Sequence, residues 1–151
     1  MKLRINSLSS ESAAYIAGII DGEGTITLTR LHAHEDRRLV VSIANTEAEL
    51  LHFVRREIGA GKITRKRTTS PLHTPSFCYA VSSRQALDLL RQIVRYLRSY
   101  KRHRAELALA NYEAVTPRNG KYSAAQDIAR KKFENSFLAL TPRGIVKAPV
   151  L

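Results

Sequence analysis

The chain has 151 residues, 44% of them hydrophobic, which suits one compact domain with a packed core. It carries 25 Lys and Arg against 13 Asp and Glu, a net charge of +12, and such self-repulsion calls for a polyanionic partner, nucleic acid first and an anionic membrane surface second. No apolar run nears the roughly 20 residues that span a bilayer, residues 1–10 lack the apolar stretch of a signal peptide, and the single Cys78 excludes an internal disulfide or a cysteine-based metal site and leans toward an intracellular setting.

The first helix signal runs over residues 9–22, opening on Ser9-Ser10 and continuing with Ala13, Ala14, Ile16, Ala17, Ile19 and Ile20. It is apolar almost all round, which predicts burial. Ala14, Gly18 and Gly22 recur every four residues on one stripe, with Ala17 beside it, so a second helix, such as a copy of itself, could approach closely. Gly22 and Gly24 must end this helix, and Asp21 and Glu23 sit at that end. A helix C-terminus carries partial negative charge, so exposed acidic groups there cost roughly 0.3–1 kcal/mol each. A cation would reverse that cost, and carboxylate and carbonyl oxygens suit Mg²⁺ or Ca²⁺. The plainer reading is a turn that merely terminates a core helix. An EF-hand fits poorly, because position 12 counted from Asp21 is His32.

Thr25–Thr29 and residues 39–44 then alternate with period two and read as two strands joined by the polar loop 31–38. Thr46-Glu47-Ala48-Glu49 resembles a capping box before a helix to Ile58. Residues 62–68 and 77–82 read as a second strand pair, with Pro71 and Pro75 in the loop between. Ser82-Ser83-Arg84-Gln85 offers another capping box, followed by Leu87, Leu90, Val94 and Leu97, and Ser123-Ala124-Ala125-Gln126 offers a third before a last helix to about residue 137.

The order predicts an α+β fold, an αββαββα core at about 9–114 with a mostly antiparallel sheet, plus C-terminal helices and a tail over 115–151. One sheet face should be covered by helices. The other would carry Thr25, Thr27, Thr29, Arg38, Ser42, Lys62, Thr64 and Lys66, with Arg30 and Arg37 at the first hairpin. Such a face can be solvated, or can lie in a DNA major groove. Arg outnumbers Lys by 17 to 8, and its planar fork grips phosphate or guanine in two places, which favours the groove. His32 and His34 lack a third ligand at useful spacing and read as loop residues.

Ile16-Ala17-Gly18-Ile19-Ile20-Asp21-Gly22-Glu23-Gly24 closely resembles the nine-residue signature of the LAGLIDADG homing endonucleases. Ser42–Glu47 looks like the end of the family's second strand, Ile58–Ile63 like its second hairpin, and Tyr96–Leu107 like its later catalytic-lysine region, so the likeness covers roughly residues 10–110. It implies a saddle-shaped sheet over double-stranded DNA and a homodimer packed through Ala14, Ala17, Gly18 and Gly22. It also implies Mg²⁺-dependent cleavage of a long pseudo-palindromic site to a staggered break, with Ca²⁺ able to occupy the site without supporting cutting. Residue by residue, it gives Glu23 as the metal-binding acid with the Gly22 carbonyl beside it, Asp21 in the metal set as the motif's first acidic position, usually structural or behind the direct ligands, Lys101 as the lysine near the scissile phosphate, and Asn45 as the polar residue that orders solvent, with Thr46 its rival by one place in register. The family more often has Asp where this chain has Glu23, which lengthens the arm. Two other functions stay open on the same scaffold, an RNA-binding maturase that takes intron RNA and a DNA-binding regulator that does not cut. Location would be intracellular, cytoplasmic in a prokaryote and organellar in a eukaryote.

Overall fold

The computed structural model describes residues 4–118 and 121–145. Helix α1 (Ser10–Glu23) leads into β1 (Gly24–Thr29) and β2 (Arg38–Asn45), and α2 (Ala48–Ile58) leads into β3 (Lys62–Arg65) and β4 (Phe77–Ser82). Then come α3 (Ser83–Ile93), a 3₁₀ turn (Val94–Tyr96), α4 (Lys101–Asn111), α5 (Ala124–Leu138), and a hairpin of β5 (Leu140–Thr141) and β6 (Gly144–Ile145). The fold is α+β, as the element order predicts.

The main sheet has the order β1-β2-β4-β3 with every neighbouring pair antiparallel. The second strand of each αββ unit therefore sits inside and the first at an edge. Alternation assigns the faces. Ile26, Leu28, Leu39, Val41, Ile43, Tyr79 and Val81 are buried, packed in one core with Ile16 and Ile20 of α1, Leu51, Val54 and Ile58 of α2 and Leu87 and Leu90 of α3. The opposite face is open.

Helix α1 begins where the Ser9 side chain accepts from the Ser12 N–H. It ends where the Gly24 N–H donates to Ile20 O. A Cβ on Gly24 would lie 2.7 Å from the Ile20 Cα, so this glycine is required by the turn from helix to strand.

Several expectations are corrected. Helix α1 is not buried all round: Ala14, Tyr15, Gly18 and Gly22 are exposed. No capping box forms at residues 46–49: the helix starts at Ala48 with Glu47 as an N-cap that makes no side-chain cap bond, and the Asn45 Oδ1 accepts from the Glu47 N–H. Ser82 caps nothing with its side chain, since it is the last residue of β4, paired with Val40. The box at Ser123 and Gln126 is present in full. Strand β3 ends at Arg65 rather than Thr68, although the Lys66 N–H still donates to Ser76 O. Residues 140–145, expected as tail, form a small hairpin; Lys147 lies outside the described residues.

Candidate active site and nucleic-acid interface

Glu23 is the last residue of α1 and is exposed. The register that pairs Gly24 with Ile43 brings the end of β2 alongside it. There the Asn45 Nδ2 donates to the Glu23 Oε2, and the Asn45 Oδ1 accepts from the Glu47 N–H at 2.8 Å. One amide thus brackets the carboxylate from strand to helix. Of the two candidates in register, Asn45 touches Glu23, and the exposed Thr46 makes no side-chain hydrogen bond there.

The other charges of this helix end serve the fold. The Asp21 carboxylate accepts from the Arg98 N–H at 2.8 Å, the Ser99 N–H at 3.1 Å and the Ser99 hydroxyl at 2.6 Å. Burial pushes its pKa up, but the Ser99 hydroxyl, the two amides and the Lys101 charge outweigh this and hold it below the ordinary value. Both oxygens are committed to the turn before α4, which is the structural duty expected of Asp21 and not the metal ligation also assigned to it. Lys101 is only 8% exposed. Its Nζ donates to Ile20 O at 2.8 Å and Asp21 O at 2.9 Å. Burial lowers its pKa and the Asp21 charge partly restores it.

Among the described residues no three His, Cys, Asp or Glu side chains are grouped to hold a metal. What one chain presents is the exposed Glu23 carboxylate, with the exposed Gly22 preceding it. Those are hard oxygen donors of the kind a divalent cation takes, but fewer than its six to eight ligands. The set fits a cation only as part of a site that phosphate, water or another chain completes.

Beside Glu23 runs a shallow, mostly apolar groove along the outer face of α1, lined by Ala14, Tyr15, Gly18, Ile19 and Gly22 with Leu50 of α2. Tyr15 is 51% exposed and meets Phe53 edge to face, ring centroids 5.7 Å apart. A Cβ added at Gly18 or Gly22 would meet nothing within 4 Å. Nothing among the described residues requires these glycines, in contrast to Gly24. Ala17 does not belong to this face: it is fully buried in the core, correcting its expected place in an interface.

The open sheet face follows the register. Thr25, Ser42, Ala80 and Lys62 form one row across four strands, Thr27, Val40 and Ser82 a second, Thr29 and Arg38 a third, and Ala44, Cys78 and Thr64 a fourth. Thr25, Thr29, Arg30, Arg38, Lys62, Thr64 and Lys66 are exposed, while Thr27 and Ser42 are half-buried. The centre of the face is less polar than a reading of its hydroxyls and cations predicts, because Val40, Ala44, Cys78 and Ala80 share it. Strand alternation is the signal that finds them.

Not every cation faces outward. Arg37 is half-buried at a seam: its N–H donates to Glu134 Oε1 at 2.9 Å, its guanidinium reaches Leu28 O at 3.4 Å, and its carbonyl accepts from Arg130. Arg104, 9% exposed, donates to Ile26 O and Leu140 O, both at 2.9 Å, and lies over the Tyr100 and Phe137 rings. Burial lowers its pKa, partly restored by Tyr100. Arg130, 3% exposed, donates to Val115 O at 3.0 Å. Arg104 joins α4 to β1 and β5, and Arg130 joins α5 to the segment after α4 and to the loop before β2. His32 and His34 are exposed loop residues.

An αββ pair sharing one antiparallel sheet, with a short-residue helix face beside an acidic turn, defines the class of fold. No family model matches the chain and no curated protein matches it. Solved structures do. The homing endonuclease I-CvuI, in complex with its target in the presence of 2 mM Ca, matches with TM-score 0.65 and 16% identity over 93% of this chain and 88% of that one. The LAGLIDADG homing endonuclease I-GzeII, in complex with a DNA target, matches with TM-score 0.62 and 16% identity over 93% of this chain and 47% of that one. The group I intron-encoded homing endonuclease I-CeuI, complexed with DNA, matches with TM-score 0.58 and 14% identity over 87% and 68%. The chain has the fold of the LAGLIDADG homing endonucleases.

Proposed function

We propose that the chain is a site-specific endonuclease that cuts double-stranded DNA as a homodimer, using a divalent cation, Mg²⁺, to leave a staggered break at a long pseudo-palindromic site. The observation that carries this reading is the position of Glu23. It borders the glycine-lined groove of α1 and stands two residues before Thr25, the first residue of the open sheet face.

The polar and basic face suits a major groove: hydroxyls of Thr25, Thr27, Thr29, Ser42 and Thr64 can meet base edges, and Arg30, Arg38, Lys62 and Lys66 can meet phosphate. Two copies packed through Ala14, Gly18 and Gly22 would bring two Glu23 carboxylates together at a two-fold axis, and a two-fold dimer reads two half-sites.

The Glu23 carboxylate and Gly22 carbonyl would hold the cation, with Asn45 fixing the carboxylate's direction. When bound, Mg²⁺ would lower the pKa of an attacking water and neutralise charge building on the phosphate. The chain's own part is to place that oxygen donor beside DNA gripped by the sheet. Intron-encoded origin and homing belong to the same proposal, in line with the description of I-CeuI. No helix among the described residues is long and apolar enough to cross a membrane.

The test is a cleavage assay on a library of random duplexes with Mg²⁺. The wild-type chain should cut a symmetric site, Ca²⁺ should support binding without cutting, and Glu23→Gln should abolish cutting while binding persists. Cutting by Glu23→Gln at the wild-type rate would overturn the assignment.

A further inference from the structure

Besides Asn45 at Glu23, the end of α1 is held from outside at Ile20 and Asp21 by a short segment, residues 98–101, that lies far along the chain. The grip has two directions. The turn donates to the Asp21 carboxylate through the Arg98 N–H, the Ser99 N–H and the Ser99 hydroxyl. Lys101 donates from its Nζ to the Ile20 and Asp21 carbonyls. The two are joined, because the Lys101 N–H also donates to the Ser99 Oγ at 3.3 Å. Asp21, Ser99 and Lys101 therefore close a ring around the last turn of the helix.

This ring answers a physical need. The final carbonyls of a helix lack intrahelical partners and carry partial negative charge. Helix α1 has no basic residue in its own last turn and places two carboxylates there. Lys101 supplies the missing cation from α4. It also satisfies the Asp21 carbonyl, and shares Ile20 O with the Gly24 N–H. Two of its three ammonium protons are committed to carbonyls, and the side chain is 8% exposed. A side chain so placed acts on the peptide ahead of Gly22 and Glu23.

We infer that Lys101 and Ser99 are positioning residues that set, through Asp21 and the last carbonyls of α1, the direction in which Gly22 and Glu23 present their oxygens. The inference rests on the proposed function for what those oxygens hold. It assigns Lys101 a task inside the protein instead of a contact with the scissile phosphate.

The experiment compares Ser99→Ala, Lys101→Met, Lys101→Arg and the Ser99→Ala/Lys101→Met double variant of the full chain. Three readings are taken: amide hydrogen exchange at residues 22–24 in the free protein, the Ca²⁺ concentration that half-saturates the complex with a selected duplex, and single-turnover cleavage with Mg²⁺. Ser99→Ala removes one hydroxyl and should still fold, with a melting temperature lowered by only a few degrees for the lost hydrogen bond.

A positioning role predicts exchange at residues 22–24 faster by about tenfold in Ser99→Ala and Lys101→Met. It predicts Ca²⁺ half-saturation displaced upward by about tenfold and cleavage slowed by about 10–100-fold, the usual cost of losing a group that orients a metal ligand. The double variant should be no worse than Lys101→Met alone, since both act through one ring. Lys101→Arg, which keeps donors for the two carbonyls, should recover the Ca²⁺ value in part. The inference is overturned if Lys101→Met abolishes cutting while exchange and Ca²⁺ half-saturation stay at wild-type values and Ser99→Ala is silent; Lys101 would then be acting on the phosphate. Should the wild-type chain select no duplex at all, the endonuclease reading fails, and exchange at residues 22–24 alone still decides whether the ring holds the end of α1.

Discussion

Asn45 donates from its amide nitrogen to the Glu23 carboxylate and accepts at its amide oxygen from the Glu47 N–H. One side chain at the end of β2 thus ties the last residue of α1 to the first turn of α2. Replacing it by aspartate keeps the acceptor for Glu47 and sets a second carboxylate against Glu23. Asn45→Asp should slow single-turnover cleavage by about 10–100-fold, with duplex affinity in Ca²⁺ within about twofold. Wild-type cleavage by Asn45→Asp would remove Asn45 from the site.

The outer face of α1 gives a prediction with opposite signs in the monomer and the dimer. Gly18 lies in the helix interior, and a Cβ there meets nothing within 4 Å. Gly18→Ala should therefore stabilise an isolated chain by roughly 0.5–1 kcal/mol, the difference in helix propensity. The same methyl should hold two helix backbones apart and weaken association. Sedimentation equilibrium over micromolar concentrations, alongside thermal melts, checks both. Unchanged association in Gly18→Ala and in the bulkier Gly18→Leu would place the interface elsewhere.

Position decides what a lost cation does. Lys62 and Arg38 are exposed on the open face, so Lys62→Ala or Arg38→Ala should weaken duplex binding and reduce the slope of log affinity against log salt by about one. Arg104→Met removes the same charge from beneath the sheet and should leave that slope alone. It should instead destabilise the fold, by roughly 1–3 kcal/mol for each carbonyl left unpaired. Binding titrations from 50 to 200 mM salt (about a thousandfold or more in affinity for a protein with many phosphate contacts) and denaturant melts separate the two.

Tyr79 sets an alkaline limit. Its side chain is fully buried and its hydroxyl donates to Ala60 O at 2.7 Å, against the close approach of Gly61. Burial pushes its pKa well above the ordinary tyrosine value of 10.0, with Arg55 pulling slightly the other way. A folded pKa above the unfolded one means the folded chain holds the proton that the unfolded chain releases. Its contribution is thus complete below pH 10.0 and falls away as pH rises from there toward the folded pKa. Tyr79→Phe should be less stable than the wild type at neutral pH, by about 1 kcal/mol for the lost hydrogen bond, and the gap should shrink above pH 10. A gap that stays constant from pH 8 to 11 would refute this.

Local patterns were legible in the sequence where one element determines them. The alternation of Thr25–Thr29 and of residues 39–44 located β1 and β2 and named most of their outward side chains. Glu23 was legible because two glycines and a helix end surround it. Choices settled by distant partners were not. Asn45 and not Thr46 meets Glu23 because β2 delivers it there. Ser82 resembles a cap but is still pairing with Val40. Resemblance alone places Lys101 near the scissile phosphate, and nothing local separates Lys101 and Arg104 from Arg102 and His103, yet Lys101 and Arg104 turn inward to carbonyls of α1 and β1. Ala17 and Gly18 are neighbours in a small-residue stripe, and one turn angle of the helix separates core from surface.

In a two-fold pair the open sheet face of one chain would be used twice. Every substitution at Thr25, Arg38 or Lys62 would then alter two places in the recognition surface at the same moment. Such a protein could follow a drifting target only when both halves of the target changed alike. Learning an asymmetric sequence would require the coding region to be doubled and joined end to end, after which the two copies of Gly18 and Glu23 would be free to diverge.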